Sequence, residues 1–193
     1  MSLLDDLISY SSELSNGYNE YRDLLTASNT TQTATLPKGL IVLKAGIFRD
    51  NKNIKTIQFS SSLKRIEVNA LAGCGITNLT FPKGIEQLGN YAVASCSSLT
   101  NMFLPNTFKN IGSYAFSGSY NLENITIESG FNCYGLNLSI SSKFSAETIV
   151  SWFNALADRT GDMAYTLTIG TTNLNKLTNE QKAIATNKNW NLA

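Results

Sequence analysis

The 193-residue chain contains three cysteines and no histidine, and those two counts decide most of the chemistry open to it. Without histidine there is no imidazole general base, no Ser-His-Asp or Cys-His nucleophile pair, and no His-ligated metal. Cys74, Cys96 and Cys133 are too few and too widely spaced for a thiolate zinc site. A disulfide between Cys74 and Cys96 is sterically conceivable, but the odd count argues against a disulfide framework. The spacing predicts instead two reduced thiols, buried side by side as small hydrophobes. Asp5-Asp6 is an adjacent acid pair, expected in the first turn of a helix, where carboxylates complement the dipole. Asp158 and Asp162 bracket Gly161. Two carboxylates so placed can share a cation, yet capping a helix end is the simpler role. Lys38 and Lys83, each in a Pro-Lys-Gly triplet, suggest a phosphate grip only until the repeat below assigns them to turns. The sequence has no G-x-x-x-x-G-K-(S/T), no G-x-G-x-x-G after a strand and no G-x-S-x-G. The expectation is a non-enzymatic protein with no catalytic residue, no metal and no cofactor.

Net charge is +1 at pH 7, with 42% apolar and 15% charged residues. Such a balance offers nothing to argue nucleic-acid binding from. Wholly apolar stretches run to only a few residues, so no membrane insertion is expected. The opening MSLLDDLISY has acids where a secretory leader would carry Lys or Arg, and no signal peptide is visible. Residues 1–25 are net acidic (Asp5, Asp6, Glu13, Glu20 and Asp23 against Arg22) and the remainder is net basic.

The elements that position these side chains come from an internal repeat. Four segments align from Pro37, Ser60, Pro82 and Pro105, ending at Ile127. Numbered within the repeat, position 4 reads Leu40, Leu63, Ile85, Phe108, and position 7 reads Leu43, Ile66, Leu88, Ile111. Positions 11 and 12 read Ile47-Phe48, Ala70-Leu71, Ala92-Val93, Ala115-Phe116. Position 18 reads Ile54, Ile76, Leu99, Leu122, position 21 reads Ile57, Leu79, Met102, Ile125, and position 23 reads Phe59, Phe81, Leu104, Ile127. The second segment is one residue short just before Ile76. Positions 21 and 23 alternate around a polar residue, which is strand period. Proline at position 1 cannot donate to a ladder and starts the turn. Each repeat is therefore a strand plus a return path that cannot bury its own apolar face, and stacking yields a solenoid. About seven strands at ~4.8 Å predict one parallel sheet roughly 34 Å wide.

The pattern L-x-x-I-x-(F/I/L)-P-x-x-(L/I)-x-x-I-x-x-x-A-F-x-x-C-x-x-L over residues 36–127 resembles the BspA-like leucine-rich repeat family. Its A-x-x-x-C element stands at Ala70/Cys74 and Ala92/Cys96. The first repeat departs from it with Ile47 and Asn51, and the fourth with Ser119 for the Cys. The resemblance implies an α+β leucine-rich-repeat solenoid, with a parallel sheet on one side and short strands or turns on the other. It also implies surface-associated binding. Residues 128–193, with LADRTG and LTIGTTNL followed by KLTNEQKAIATNKNW, resemble C-terminal modules of prophage-associated and Gram-positive surface repeat proteins. A cell-surface or phage-particle setting follows from that resemblance.

The domain plan is an N-terminal helical segment over 1–26, a polar linker, and a solenoid over 36–193 whose last part, 128–193, is made of strand–helix units. Leu3, Leu7, Tyr10, Leu14, Gly17, Tyr21 and Leu24 form a heptad-like stripe. That helix either covers the first coil or joins copies of the chain into a homo-oligomer. TASNTTQTAT, residues 26–35, has no core pattern and reads as linker. In the C-terminal part, Leu138–Ile140 and Leu167–Ile169 are predicted strands. Ser145 is a predicted N-cap stapled by Phe144 and Ile149. It opens a helix with Ile149, Trp152, Phe153 and Leu156 on one face, followed by Gly161. Thr178 and Gln181 form a predicted capping box, and Trp190–Leu192 a closing strand.

With positions 18, 21 and 23 facing inward, positions 20 and 22 face out. They read Thr56, Asn78, Asn101, Asn124 and Gln58, Thr80, Phe103, Thr126. This flat, uncharged face is the candidate ligand surface. Asn and Thr both donate and accept, and an exposed Phe stacks or fills a pocket. The plainer alternative is that Asn and Thr suit ladder neighbours and Phe103 is one scattered apolar side chain. The expected function is recognition or adhesion toward a protein or glycan. The alternative is a structural, phage-associated assembly role using the N-terminal helix.

Overall fold

A computed structural model describes residues 32–193. The helical stripe expected within residues 1–26 lies outside the described residues. The chain builds β1 (Thr33–Thr35), β2 (Val42–Leu43), β3 (Thr56–Gln58), β4 (Arg65–Ile66), β5 (Asn78–Thr80), β6 (Gln87–Leu88), β7 (Asn101–Leu104), β8 (Asn110–Ile111) and β9 (Asn124–Ile127). Then come α1 (Ala146–Ala155), β10 (Tyr165–Leu167), α2 (Thr171–Leu174), α3 (Asn179–Thr186) and β11 (Trp190–Leu192). It is an α+β leucine-rich-repeat solenoid, and among the described residues all strand pairs are parallel.

Each coil contributes twice. Positions 20–22 give the strands β3, β5, β7 and β9, and positions 6 and 7 give β2, β4, β6 and β8, paired as a four-stranded sheet in the order β2-β4-β6-β8. The inward columns from both sheets meet in one core, where Leu63, Ile66, Ala70, Leu71, Ile76, Ile85, Leu99 and Leu104 have no exposed surface. Tyr134 extends the second sheet by bridging to Asn110.

Three expectations are corrected here. First, there is no single seven-stranded sheet among the described residues: β1 pairs with β3 and, separately, β5-β7-β9 form a three-stranded sheet. Leu79, Met102 and Ile125 stand in lateral register, whereas Ile57 stands opposite Ala34. The break between β3 and β5 falls beside the coil that is one residue short. There Gly75 replaces two residues of the other coils, and Thr77 N reaches Lys55 O at a long 3.4 Å. Second, Thr33–Thr35, read as linker, forms β1, and Ala34 and Leu36 are buried. Their polar neighbours face outward, so so short a stretch shows no core pattern in sequence. Third, Leu138–Ile140 is not a strand. Asn137 makes a lone bridge to Thr168 and the chain then turns. The next strand begins two residues earlier than read, at Tyr165, because its partner β11 sets the register from Tyr165↔Trp190 to Leu167↔Leu192.

The helices behave as the caps predicted. Ser145 caps α1, its hydroxyl accepting from Thr148 N, and Ile149, Trp152 and Phe153 are buried. Leu156 ends the helix, and Gly161 follows further along the chain. Thr178 and Gln181 make both bonds of a capping box at α3. The short α2 was not read from the sequence. It places buried Asn173, whose Nδ2 donates to Ser141 O (2.8 Å) and Ile169 O (2.9 Å). α1 lies against the outermost strand of its sheet, β9, and Trp152 Nε1 donates to Ile125 O at 2.7 Å. Lys188 Nζ in turn donates to Phe153 O, Asn154 O and Leu156 O, the open carbonyls at the end of α1.

The turn at positions 10–15 explains the A-x-x-x-C element. Positions 10 and 14 are left-handed in all four coils: Gly46, Asn69, Tyr91 and Tyr114 at the first, Asp50, Gly73, Ser95 and Gly118 at the second. Amides at 10, 12 and 14 donate to the following coil, as Asn69 N to Asn90 O (3.2 Å), Leu71 N to Ala92 O (2.8 Å) and Gly73 N to Ala94 O (2.7 Å). Position 15 donates backward. Cys74 Sγ reaches Phe48 O (3.0 Å), Cys96 Sγ reaches Leu71 O (3.2 Å) and Ser119 Oγ reaches Val93 O (3.0 Å). Ser119 thus does the same work as the cysteines it departs from. The three cysteines are free and buried. Burial pushes the thiols up to about 12 at Cys74 and Cys133 and about 11 at Cys96.

A Cβ at Gly89 would lie 2.7 Å from the main chain of Glu67 and Val68, so Gly89→Ala should cost about 1–3 kcal/mol in urea unfolding. An unchanged midpoint would mean that the coils slide apart freely. The thiols should resist iodoacetamide in the native state at pH 8, and all three should react in the unfolded, non-reduced chain; fewer would reveal a disulfide. Because folding raises their pKa from 9.0, their contribution is intact below pH 9 and is lost as pH rises toward 11–12. Cys96→Ala, which removes the buried sulfur and the thiol donor to Leu71 O while the Cys74 amide still donates to that carbonyl, should cost about 1 kcal/mol, mainly through the cavity, and Cys96→Ser less.

Candidate ligand-binding faces

The alternation along β5, β7 and β9 puts Leu79, Met102 and Ile125 in the core and leaves positions 20 and 22 at the surface. Thr56, Gln58, Asn78, Thr80, Asn124 and Thr126 are exposed, while Asn101 and Phe103 are partly covered. All eight residues of the predicted face therefore point away from the core, and strand pairing sets Asn78, Asn101 and Asn124 abreast. Their carboxamides form a ladder: Asn101 Nδ2 donates to Asn78 Oδ1 (2.8 Å), and Asn124 Nδ2 donates to Asn101 Oδ1 (3.0 Å). The flanking hydroxyls join it, Asn101 Nδ2 also donating to Thr100 Oγ1 and Asn78 Nδ2 to Thr77 Oγ1. Thr35 Oγ1 donates to Gln58 Oε1 at 2.9 Å across β1 and β3. Part of the hydrogen-bonding capacity of this face is therefore spent within it, as the plainer sequence alternative held. The same ladder fixes the amide orientations before any ligand arrives, which lowers the ordering cost of binding.

A second surface was not singled out in the sequence. At position 10 the left-handed turn holds Tyr91 (φ 56°) and Tyr114 (φ 58°). Their rings stack at 5.3 Å with 13° between planes. A bulky residue in this conformation costs about 1–2 kcal/mol. The stack returns about 0.5–1.5 kcal/mol, so packing has no surplus reason to keep both tyrosines. The clue was in the column itself. Gly46 and Asn69, the residue types that tolerate positive φ, precede two that do not. Tyr120 and Tyr134 are exposed nearby in the chain, at 69% and 63%. A wider cleft of about 430 Å³ runs over β4 and β6. Its charges, Arg65 and Glu67, pair with each other at 3.3 Å.

The other residues considered for chemistry are apart from these faces. Asp158 Oδ1 accepts from Thr160 N (2.9 Å), an arrangement that turns the chain after α1. Lys83 pairs with Glu128 at 3.1 Å, so that side chain bridges coils. Among the described residues no group of His, Cys, Asp and Glu is placed to hold a metal ion, and no helix is long and apolar enough to cross a membrane.

Comparison with known proteins agrees with this geometry. No curated protein gives a significant match. Among solved structures, the T. pallidum leucine-rich repeat protein TpLRR is similar at 18% identity, over 84% of this chain and 86% of that one, with a TM-score of 0.51. A leucine-rich repeat protein from Bacteroides ovatus is similar at 18% identity over 72% of this chain, TM-score 0.48. The pneumococcal vaccine antigen PcpA follows at 17% over 70%, TM-score 0.42. This chain spans 37% and 45% of the latter two. At such identity the likeness to TpLRR shows the fold. The family model for the BspA type leucine rich repeat region matches six copies over residues 25–140, two more than the four full coils counted in the sequence. The range takes in the coil that carries β1 and the segment through Tyr134 and Asn137 that pairs onward from the last coil. With that match over more than half of its length, the chain belongs to the BspA-type leucine-rich repeat family.

Proposed function

We propose that the chain is a non-enzymatic recognition module of an adhesive, surface-exposed kind, and that residues 36–193 form the binding unit. The ligand, a protein or a glycan, docks on the outward face of β3, β5, β7 and β9. The observation that carries this reading is the pre-ordered amide ladder Asn78–Asn101–Asn124 beside the partly exposed ring of Phe103. An aromatic anchor beside fixed, uncharged donors and acceptors has the composition of a binding hot spot with a polar surround. Repeat solenoids in general use such extended faces for partners.

The test begins with the full chain on an array of purified extracellular-matrix proteins and glycans. For any hit, Phe103→Ala should weaken binding by about 2 kcal/mol. The melting temperature should hardly move, because the side chain is not in the core. Unaltered affinity in that variant would remove this face from consideration.

A further inference from the structure

Tyr114, 62% exposed, contributes to two adjoining clefts. The first, about 380 Å³, is lined by Ser113, Tyr114, Tyr134, Asn137, Thr166 and Thr168 together with Gly135 and Leu136. The second, about 230 Å³, shares Tyr114, Gly135 and Asn137 and adds Ser117, Ser139 and Tyr120. These clefts lie where the last full coil meets the C-terminal units, away from the strands β3, β5, β7 and β9.

Charge comes first in reading them. Neither lining contains an Asp, Glu, Lys or Arg. A phosphorylated, sulfated or carboxylated ligand would find no countercharge there and would pay for its desolvation. The polar groups come second. They are hydroxyls and a carboxamide, each able to serve a ligand hydroxyl as donor or acceptor. Asn137 is already oriented, its Oδ1 accepting from Ser139 N (3.0 Å) and Ser139 Oγ (2.7 Å). That leaves its Nδ2 without a partner among the described residues. Third are the rings. Tyrosine offers a rigid apolar face with a polar tip, matching a ligand that presents C–H faces and hydroxyl edges together. Tyr134 is held in place edge-on by Tyr165 at 5.6 Å, and Arg159 lies over the Tyr165 ring at 3.5 Å. Last is the backbone. Tyr114 keeps a left-handed φ of 58° that Gly or Asn would adopt with less strain, and strain of this kind gathers at binding sites.

We infer that this pair of clefts binds a neutral oligosaccharide, with the face of Tyr114 that Tyr91 leaves uncovered as the stacking platform shared by the two clefts. Ligand pockets in general span about 300–1,000 Å³, and the first cleft falls within that range.

The experiment uses the full chain and four neutral probes: chitohexaose, cellohexaose, maltohexaose and mannohexaose. A heparin hexasaccharide serves as the anionic comparison, and affinities are read by calorimetry. At least one neutral probe should bind, with an affinity that holds as salt rises from about 50 to about 500 mM. Tyr114→Asn should weaken it about tenfold or more, and its melting temperature should be equal to or above the parent's, since Asn accepts the left-handed backbone. A residue kept only for packing would lower the melting temperature instead. Tyr134→Ala, outside the strained turn, should weaken binding as well, and it decides the matter if Tyr114→Asn does not fold. The inference is overturned if no neutral probe binds at millimolar concentration, if heparin is preferred, or if Tyr114→Asn binds as the parent does. Loss in Phe103→Ala with retention in Tyr114→Asn would place the sugar on the first face, sinking this inference while leaving the recognition reading intact. Absence of sugar binding beside a protein hit sensitive to Phe103→Ala would do the same.

Discussion

A coil of this solenoid leaves much of its own main chain for its neighbours to satisfy. Its amides and carbonyls lie along a path with few local partners, and the adjacent coil completes them. The completion occurs at three places around each turn: the positions 20–22 ladder, the two-residue strands at positions 6 and 7, and the amides at positions 10, 12 and 14. Buried polar groups without partners are costly, so the coils must stay in register at all three places at once. That demand fixes coil length. Where one coil is a residue short, at Gly75, the chain keeps the turn and the second sheet and gives up the ladder between β3 and β5. The same closeness excludes side chains. A Cβ at Gly112 would meet Asn90 N at 2.5 Å, much as one at Gly89 would meet the coil behind it.

Position 15 shows how one constraint admits different residues. The carbonyl at position 12 faces the interior and takes a side-chain donor from the following coil, in two coils in addition to a backbone amide, and that donor must be small enough for the turn. A thiol serves in two coils and a hydroxyl in a third. The end of the stack poses the corresponding problem on a larger scale. The last strand has no further coil to pair with, so α1 covers β9, and the Trp152 indole supplies a donor to Ile125 O. Lys188 and Asn173 then satisfy carbonyls that the cap itself opens. No buried side-chain polar atom among the described residues is left without a partner.

Because stability is settled by the inward columns, the outward ones are free to vary, and they diverge. On one sheet they converge on an uncharged amide ladder that is already ordered. At the turn leading from the other they carry two tyrosines in a backbone conformation that suits glycine or asparagine. The first surface costs the fold little, whereas the second works against it locally. A local conflict of that kind inside an otherwise consistent sequence is where function is to be sought.

The repeat, its inward columns and its outward columns were legible in the sequence. Periodic burial leaves a periodic apolar signature, and seven apolar positions recur in fixed register. The caps Ser145 and Thr178 were legible as well, since their bonds are made within a few residues. Strand limits in the C-terminal units were not, because β10 takes its register from β11 rather than from its own side chains. Nor was the strand at Thr33–Thr35, where Ala34 and Leu36 gain a core only by standing beside the next coil. The meeting of Tyr114 with Tyr134, Asn137 and Thr168 belongs to tertiary structure alone. Those residues are brought together by stacking of coils and docking of the cap, and contacts between distant segments leave no period in the chain that encodes them.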